Sequence, residues 1–344
     1  MNADSDQNKI AARVVQILRV IGKRIRIARG DPPAFYPQCT DLSINQWDKE
    51  LLPDVIYGAN ASDVIYDELS ADKPSMICRF GTTELATICS ATTALTFPNA
   101  LQLVTGSIMV RDIGLHDGLI KSLCKLSGFF PPQVSAGRNF VDMSLADIPL
   151  IDVLGVWCKQ EQLLASNLST VRKVRFRDIE PYMHTNPWTR VLAGKKVLVV
   201  HPFADTIADP YARKGALLFA NPLVLPEFEL KTIKAVQSIA NNKTQFASWF
   251  DALDHMKNQI SATDFDIAII GCGAYGMPLA AHCKRIGKKA VHLGGQTQLL
   301  FGIKGKRWET GHDEIKRMFN EHWVYPDEQD KPKNYGVVEG GAYW

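Results

Sequence analysis

The stretch FDIAIIGCGAYG, residues 265–276, decides how this chain reads. An apolar run ends in Gly271, Gly273 and Gly276, the G-x-G-x-x-G spacing of a strand entering a tight turn and then a helix. A dinucleotide-binding turn also needs an Asp or Glu about 20 residues on, at the end of the next strand, to hold the ribose hydroxyls. Here that position reads Val291, His292, Leu293, and a second glycine pair, Gly294 and Gly295, follows. An NAD-dependent oxidoreductase is therefore disfavoured, and an S-adenosylmethionine site, which wants a similar acid, falls with it. The glycines keep a simpler capacity, which is to let a helix N-terminus approach either the sheet or a phosphate.

Reading onward, HLGGQTQLLFGIKGKRW (residues 292–308) alternates Gly302 and Gly305 with Lys304, Lys306 and Arg307. That order suits backbone N–H groups and cations gathered around a pyrophosphate, or equally a solvated basic loop. Reading backward, SMICRF (75–80), IDVLGVWC (151–158), KKVLVVHPF and FELKTIKAV read as strands. Helices fit SDVIYDELSAD, a segment from about Thr82, HDGLIKSLCKLS, DPYARKGALLF, TQFASWFDALDHMKNQIS and about Tyr275 to Ile286. Strands alternating with helices predict an α/β fold, a Rossmann-like open and mostly parallel sheet with helices on both faces. Ligands of such sheets sit at the carboxyl ends of the strands, which points to the turns RFGTTE, HPFADT, GCGAYG and HLGGQTQ.

With 344 residues, 46% of them apolar, the chain can bury a large core, and a formal charge of +3 gives no reason to expect a nucleic-acid partner. The seven cysteines are scattered without a CxxC pair, which suggests reduced thiols and a cytoplasmic setting. Residues 9–29 carry seven Lys or Arg and no acid, with an apolar face at helical spacing. They read as an amphipathic helix that either packs on the body or makes peripheral contact with the inner face of the cell membrane. Charges inside this stretch argue against a spanning helix or a signal peptide. The predicted division is 1–55 for the basic helix and its connector, 56–325 for the α/β body, and 326–344 for an apolar tail (VVEGGAYW) docked on that body.

Three blocks together, RFGTTEL (79–85), GCGAYGMPLAAHCKRIGKKAVHLGG and QLLFGIKGKRW, resemble the GT-D-type glycosyltransferases of bacterial polysaccharide and glycoprotein biosynthesis. The resemblance implies a GT-D-like fold of hexosyltransferase type. It also implies a nucleotide-sugar donor of the UDP-linked kind, a glycan, lipid-linked or protein acceptor, and Mn²⁺ or Mg²⁺ held by a D-x-E motif. This chain has Thr82, Thr83, Glu84 where the family has D-x-E, so Glu84 is the metal ligand that remains. Three alternatives follow: a site completed by Asp205 or Asp112, metal-independent transfer relying on Lys304, Lys306 and Arg307, or a catalytically inactive scaffold.

Glycosyl transfer needs charge stabilisation for the departing diphosphate and, with inversion, a base for the acceptor hydroxyl. Candidates for the base are Glu84, Asp205 and His201, all near predicted strand ends. Donor and phosphate contacts are assigned to Arg79, Gly81, Gly271, Gly273, Gly276, Gly294, Gly295, Gln298, Lys304, Lys306 and Arg307. Bland alternatives stand beside several of these: an Arg79–Glu84 ion pair, helix capping by Asp205, and an ordinary hydrogen-bonded role for His201 and His292.

Overall fold

The computed structural model describes residues 54–92 and 114–344, together with Ile21. Asp112 and, apart from Ile21, the basic stretch 9–29 lie outside the described residues. Eight strands form one sheet: β1 (Val55–Ile56), β2 (Ser75–Cys78), β3 (Val153–Val156), β4 (Arg172–Arg175), β5 (Lys196–His201), β6 (Glu229–Lys234), β7 (Ile267–Ile270) and β8 (Lys289–His292). Their order is β1-β4-β3-β2-β8-β7-β5-β6, and every pairing is parallel. This is the α/β sheet the alternation of elements predicts.

Parallel strands covered on both faces read as unbroken apolar runs, and β2, β3 and β7 are buried at every position. Alternate side chains then serve two cores. Leu198, Val200, Ala268 and Ile270 join one cluster with Leu85, Ile120, Phe140, Trp249 and Leu279. Val197, Val199, Ile267 and Ile269 join the other with Ile65, Trp188, Phe301, Trp308 and Trp344. The edge strand β6 carries Glu229, Lys231 and Lys234, the charge pattern that discourages pairing with another sheet.

The longer helices are α1 (Ala59–Ser70), α2 (Thr82–Thr92), α3 (Asp117–Ser127), α4 (Val134–Asp147), α5 (Ala204–Lys214), α6 (Trp249–Ser261) and α7 (Gly276–Arg285), followed by the short α8 (Gln296–Leu300) and α9 (Lys306–Thr310). Helix α6 starts with a capping box, Ser248 accepting from the Asp251 N–H while the Asp251 carboxylate accepts from the Ser248 N–H. Strands β1 and β4 and helix α4 are elements that the sequence reading does not contain. Helices α2, α5 and α7 each begin just beyond the carboxyl ends of β2, β5 and β7, which aims their positive ends at one side of the sheet. No helix among the described residues is long and apolar enough to cross a membrane.

The C-terminal residues lie against that same side. Trp344 Nε1 donates to the Asp330 carbonyl at 3.1 Å, the Arg307 N–H to the Ala342 carbonyl at 3.1 Å, and Gln298 Nε2 to the Tyr343 carbonyl at 3.1 Å. Lys306 Nζ reaches the Gly340 carbonyl at 3.2 Å.

Candidate functional site

A cavity of about 630 Å³ opens at the carboxyl ends of the strands, a volume ordinary for a small-molecule site. The turns after β2, β3, β4, β5, β6, β7 and β8 all contribute to its wall, and the C-terminal tail closes one side.

The three glycines of GCGAYG are each required by a neighbour. A Cβ on Gly271 would stand 2.4 Å from the Gly294 carbonyl oxygen and 2.5 Å from Thr297 Oγ1. Gly273 has φ 59° and presses on the Ser127 carbonyl, where a Cβ would come within 2.8 Å. At Gly276 a Cβ would fall 2.0 Å from Cε1 of the buried His292 ring. The spacing thus packs helix α7 and the His292 side chain at the cavity floor. Gly271, Gly273, Gly294 and Gly295 line the cavity; Gly276 lies beneath, behind His292.

Arg79 leaves β2 directly into the cavity. Its guanidinium lies over the rings of Trp157 and Phe176, 5.0 and 5.2 Å from their centroids, and donates to the Phe80 carbonyl at 2.9 Å. Gly294, with φ 67°, allows the approach: a Cβ there would be 3.0 Å from Arg79 Nε. Among the described residues no carboxylate comes within ion-pair distance of Arg79, and its buried Nε has no hydrogen-bond partner. The Arg79–Glu84 pair is therefore not formed. Glu84 instead folds back over Gly81, where a Cβ would meet its Oε2 at 2.2 Å, and accepts from Thr83 Oγ1 at 2.8 Å. Thr83 Oγ1 also bonds Ser127 Oγ, tying α2 to the end of α3.

His201, 4% exposed, ends β5 with Nδ1 accepting from the Phe203 N–H at 3.0 Å. An acceptor Nδ1 leaves the proton on Nε2, and burial pulls the ring's pKa down to about 3. His201 therefore offers the cavity an N–H donor. His292 has the opposite tautomer, Nδ1–H facing the Ile270 carbonyl at 3.3 Å, and is likewise held down to about 3 by burial and then by Arg79.

Several candidates stand apart from the cavity or are engaged elsewhere. Asp205, its side chain 60% exposed, pairs with Lys234 Nζ at 2.7 Å and is not a lining residue; it makes no capping bond to α5. Lys304 stacks toward Phe319 and Tyr325, and Lys306 holds the tail, so of the three cations only Arg307 lines the cavity. Arg307 is ion-paired to Glu339 and lies 4.9 Å from the centroid of Tyr343. Gln298, 1% exposed, spends its amide on the Lys304 and Tyr343 carbonyls. Gly295 is held against Tyr343, 2.7 Å from where its Cβ would be.

Of the acids named for a metal by the D-x-E resemblance, Glu84 alone stands at the cavity wall, and Asp112 lies outside the described residues. Glu84 is one carboxylate, Thr82 adds no charge, Asp205 is turned to Lys234, and no group of three His, Cys, Asp or Glu among the described residues is placed to hold a metal ion. A Mg²⁺ or Mn²⁺ site normally uses one or two carboxylates with phosphates and water.

Sequence reasoning missed the β4 side of the cavity, Phe176, Arg177 and Glu180, and also Gln296. Glu180, 6% exposed, has its carboxyl pushed up to about 7 by burial, against the pull of Arg177, Tyr182 and Gln296. The available signal was KVRF, a strand-like run ending four residues before Glu180.

Comparison with known proteins adds little beyond this. No family model and no curated protein matches the chain. A solved glycosyltransferase from Streptococcus sanguinis aligns over 80% of this chain and 96% of its own, at 12% identity and a TM-score of 0.36. A likeness that slight carries no argument about activity.

Proposed function

We propose that this chain is a glycosyltransferase that moves a sugar from a nucleotide-sugar donor, of the UDP type, to a glycan or glycoconjugate acceptor. The observation that carries the reading is Arg79: a cation held between two aromatic rings and a glycine turn, with no carboxylate partner among the described residues, inside a cavity of nucleotide size. Arg79 is half-buried with its Nε fully so, and a cation drawn this far from water without a counter-charge is stabilised when an anion arrives. The amino ends of α5 and α7, which carry no side-chain cap, add to the positive potential there.

In this reading Arg79 and the helix ends stabilise the departing diphosphate, and His201 Nε2–H donates a hydrogen bond to donor oxygen. Trp157 and Phe176, stacked on each other at 4.8 Å with Arg79 over both, fix the direction from which that guanidinium meets the donor. No step runs through a metal. Bacterial surface polysaccharide assembly, a cytoplasmic location and peripheral membrane contact through residues 9–29 belong to the same proposal. Thermal-shift titration with UDP, GDP and CMP, with Mn²⁺ and again with EDTA, tests it. Stabilisation by a nucleoside diphosphate that persists in EDTA is expected; none from any nucleotide would reject the reading.

A further inference from the structure

Glu180 follows the turn Phe176–Ile179 that leaves β4, and it is the most deeply buried acid among the described residues lining the cavity; Glu84 is half-buried and Glu339 exposed. The charged and titratable groups around it are Arg177, Tyr182 and Glu314. Arg177 is itself held by Glu314 at 2.8 Å, so among the described residues Glu180 keeps no committed ion-pair partner. Gln296 reaches the same carboxyl, and its own Oε1 is buried without a hydrogen-bond partner among the described residues. Two routes place Glu180 on the wall that carries Arg79. Phe176, at the start of its turn, lies under the Arg79 guanidinium, and Gln296 comes two residues after the Gly294 on which Arg79 packs.

Resting on the glycosyl-transfer reading above, we propose that the Glu180 carboxylate is the catalytic base that takes the proton of the acceptor hydroxyl. The acceptor oxygen forms a bond to the anomeric carbon as the bond from that carbon to the phosphate oxygen breaks. The bonding pair leaves on the nucleoside diphosphate, beside Arg79, and the hydroxyl proton passes to Glu180. Atoms and charge balance without a redox partner, and one displacement inverts the anomeric centre. A carboxyl whose pKa stands near 7 suits the task, because base strength and deprotonated fraction are both useful at neutral pH. Of the other residues the sequence offers for this role, Asp205 is turned away, His201 presents a proton rather than a lone pair, and Glu84 is folded back over Gly81 with its Oε2 accepting from Thr83.

The test uses the full chain and water as the simplest acceptor. Release of UDP or GDP from UDP-glucose, UDP-galactose, UDP-N-acetylglucosamine and GDP-mannose is followed between pH 5.5 and 8.5 for the wild type, Glu180→Gln and Glu180→Asp. Binding of UDP and GDP is measured by calorimetry on the same samples. Expected are a wild-type rate that rises through about pH 7 and a loss of about 10²-fold or more in Glu180→Gln. Partial recovery with the same pH limb in Glu180→Asp, and nucleotide affinity unchanged in both variants, complete the expected pattern. Turnover retained by Glu180→Gln, or nucleotide binding by the wild type without any turnover, would overturn the assignment. No nucleotide binding by the wild type would sink the glycosyltransferase reading itself, a distinguishable failure.

Discussion

The Arg79 guanidinium lies 5.0 Å from the centroid of the Trp157 ring, and Trp157 Nε1 donates to the Phe80 carbonyl at 2.9 Å, so the backbone next to Arg79 fixes the ring that carries it. Stacking of this kind is specific to a planar cation. Arg79→Lys keeps the charge and loses the stack and the fork of donors, whereas Arg79→Ala loses all three. A charged hydrogen bond to phosphate contributes about 1.5–3 kcal/mol, so Arg79→Ala is expected to weaken nucleoside diphosphate binding by roughly 10- to 100-fold. Calorimetry with UDP should rank wild type, Lys and Ala in that order. Equal affinities across the three would mean the cation faces something other than the ligand.

At Gly276 the prediction concerns folding. A Cβ there would lie 2.0 Å from the ring of His292, whose burial leaves it little room to yield. Overpacking of this type costs about 1–3 kcal/mol. Gly276→Ala should therefore lower the urea midpoint without altering the m-value, and Gly276→Ala combined with His292→Ala should recover part of the loss. A Gly276→Ala protein as stable as the wild type would show that the glycine serves another purpose.

These same residues show which features of the fold are local in the sequence and which are not. The glycine spacing and the buried runs of β2, β5 and β7 announce a parallel sheet because hydrophobic pattern and turn chemistry are local properties. Strand β4 reads RKVR, with only Val174 fully buried, and so shows no apolar run; Glu180 disappeared from view along with it. The clustering of Lys304, Lys306 and Arg307 is equally local, but their directions are not. Gly305 starts a new helix, Lys304 is drawn to Phe319 and Tyr325, and Arg307 alone is left at the cavity. Which cation meets a ligand depends on partners such as Glu339, more than thirty positions away.

Stability should depend on pH through three buried groups of opposing sign. His201 and His292 are held down to about 3 from an ordinary 6.5, so the unfolded chain binds the extra protons. Their contribution is complete above about pH 6.5 and is lost as pH falls toward 3. Glu180, raised to about 7 from 4.5, binds its extra proton in the folded state. Its contribution is complete below about pH 4.5 and is lost as pH rises through 7. Between roughly pH 4.5 and 6.5 the two imidazoles outweigh the one carboxyl, and these groups together make stability rise with pH. Glu180→Gln removes the opposing carboxyl and should steepen the rise by about 1.4 kcal/mol per pH unit. Urea unfolding at pH 5 and 6 measures the slopes; identical slopes for the two proteins would contradict the account.

The tail prediction joins stability to binding. Trp344 is 9% exposed, sits 6.1 Å from the centroid of Phe203 and donates to the Asp330 carbonyl, while Arg307 is fixed between Glu339 and Tyr343. Removing a buried Trp side chain costs about 3–5 kcal/mol in a closed core and less where the site can collapse or admit water. Trp344→Ala should thus lose stability, with Arg307 still paired. Glu339→Gln should leave stability nearly unchanged, since an ion pair this exposed contributes about 1 kcal/mol or less, yet it frees the Arg307 charge at the cavity mouth. Nucleoside diphosphate binding is then expected to tighten several-fold at low salt and to return toward the wild-type value as salt screens the added charge. If Glu339→Gln binds UDP no more tightly than the wild type at low ionic strength, Arg307 serves only to anchor the tail.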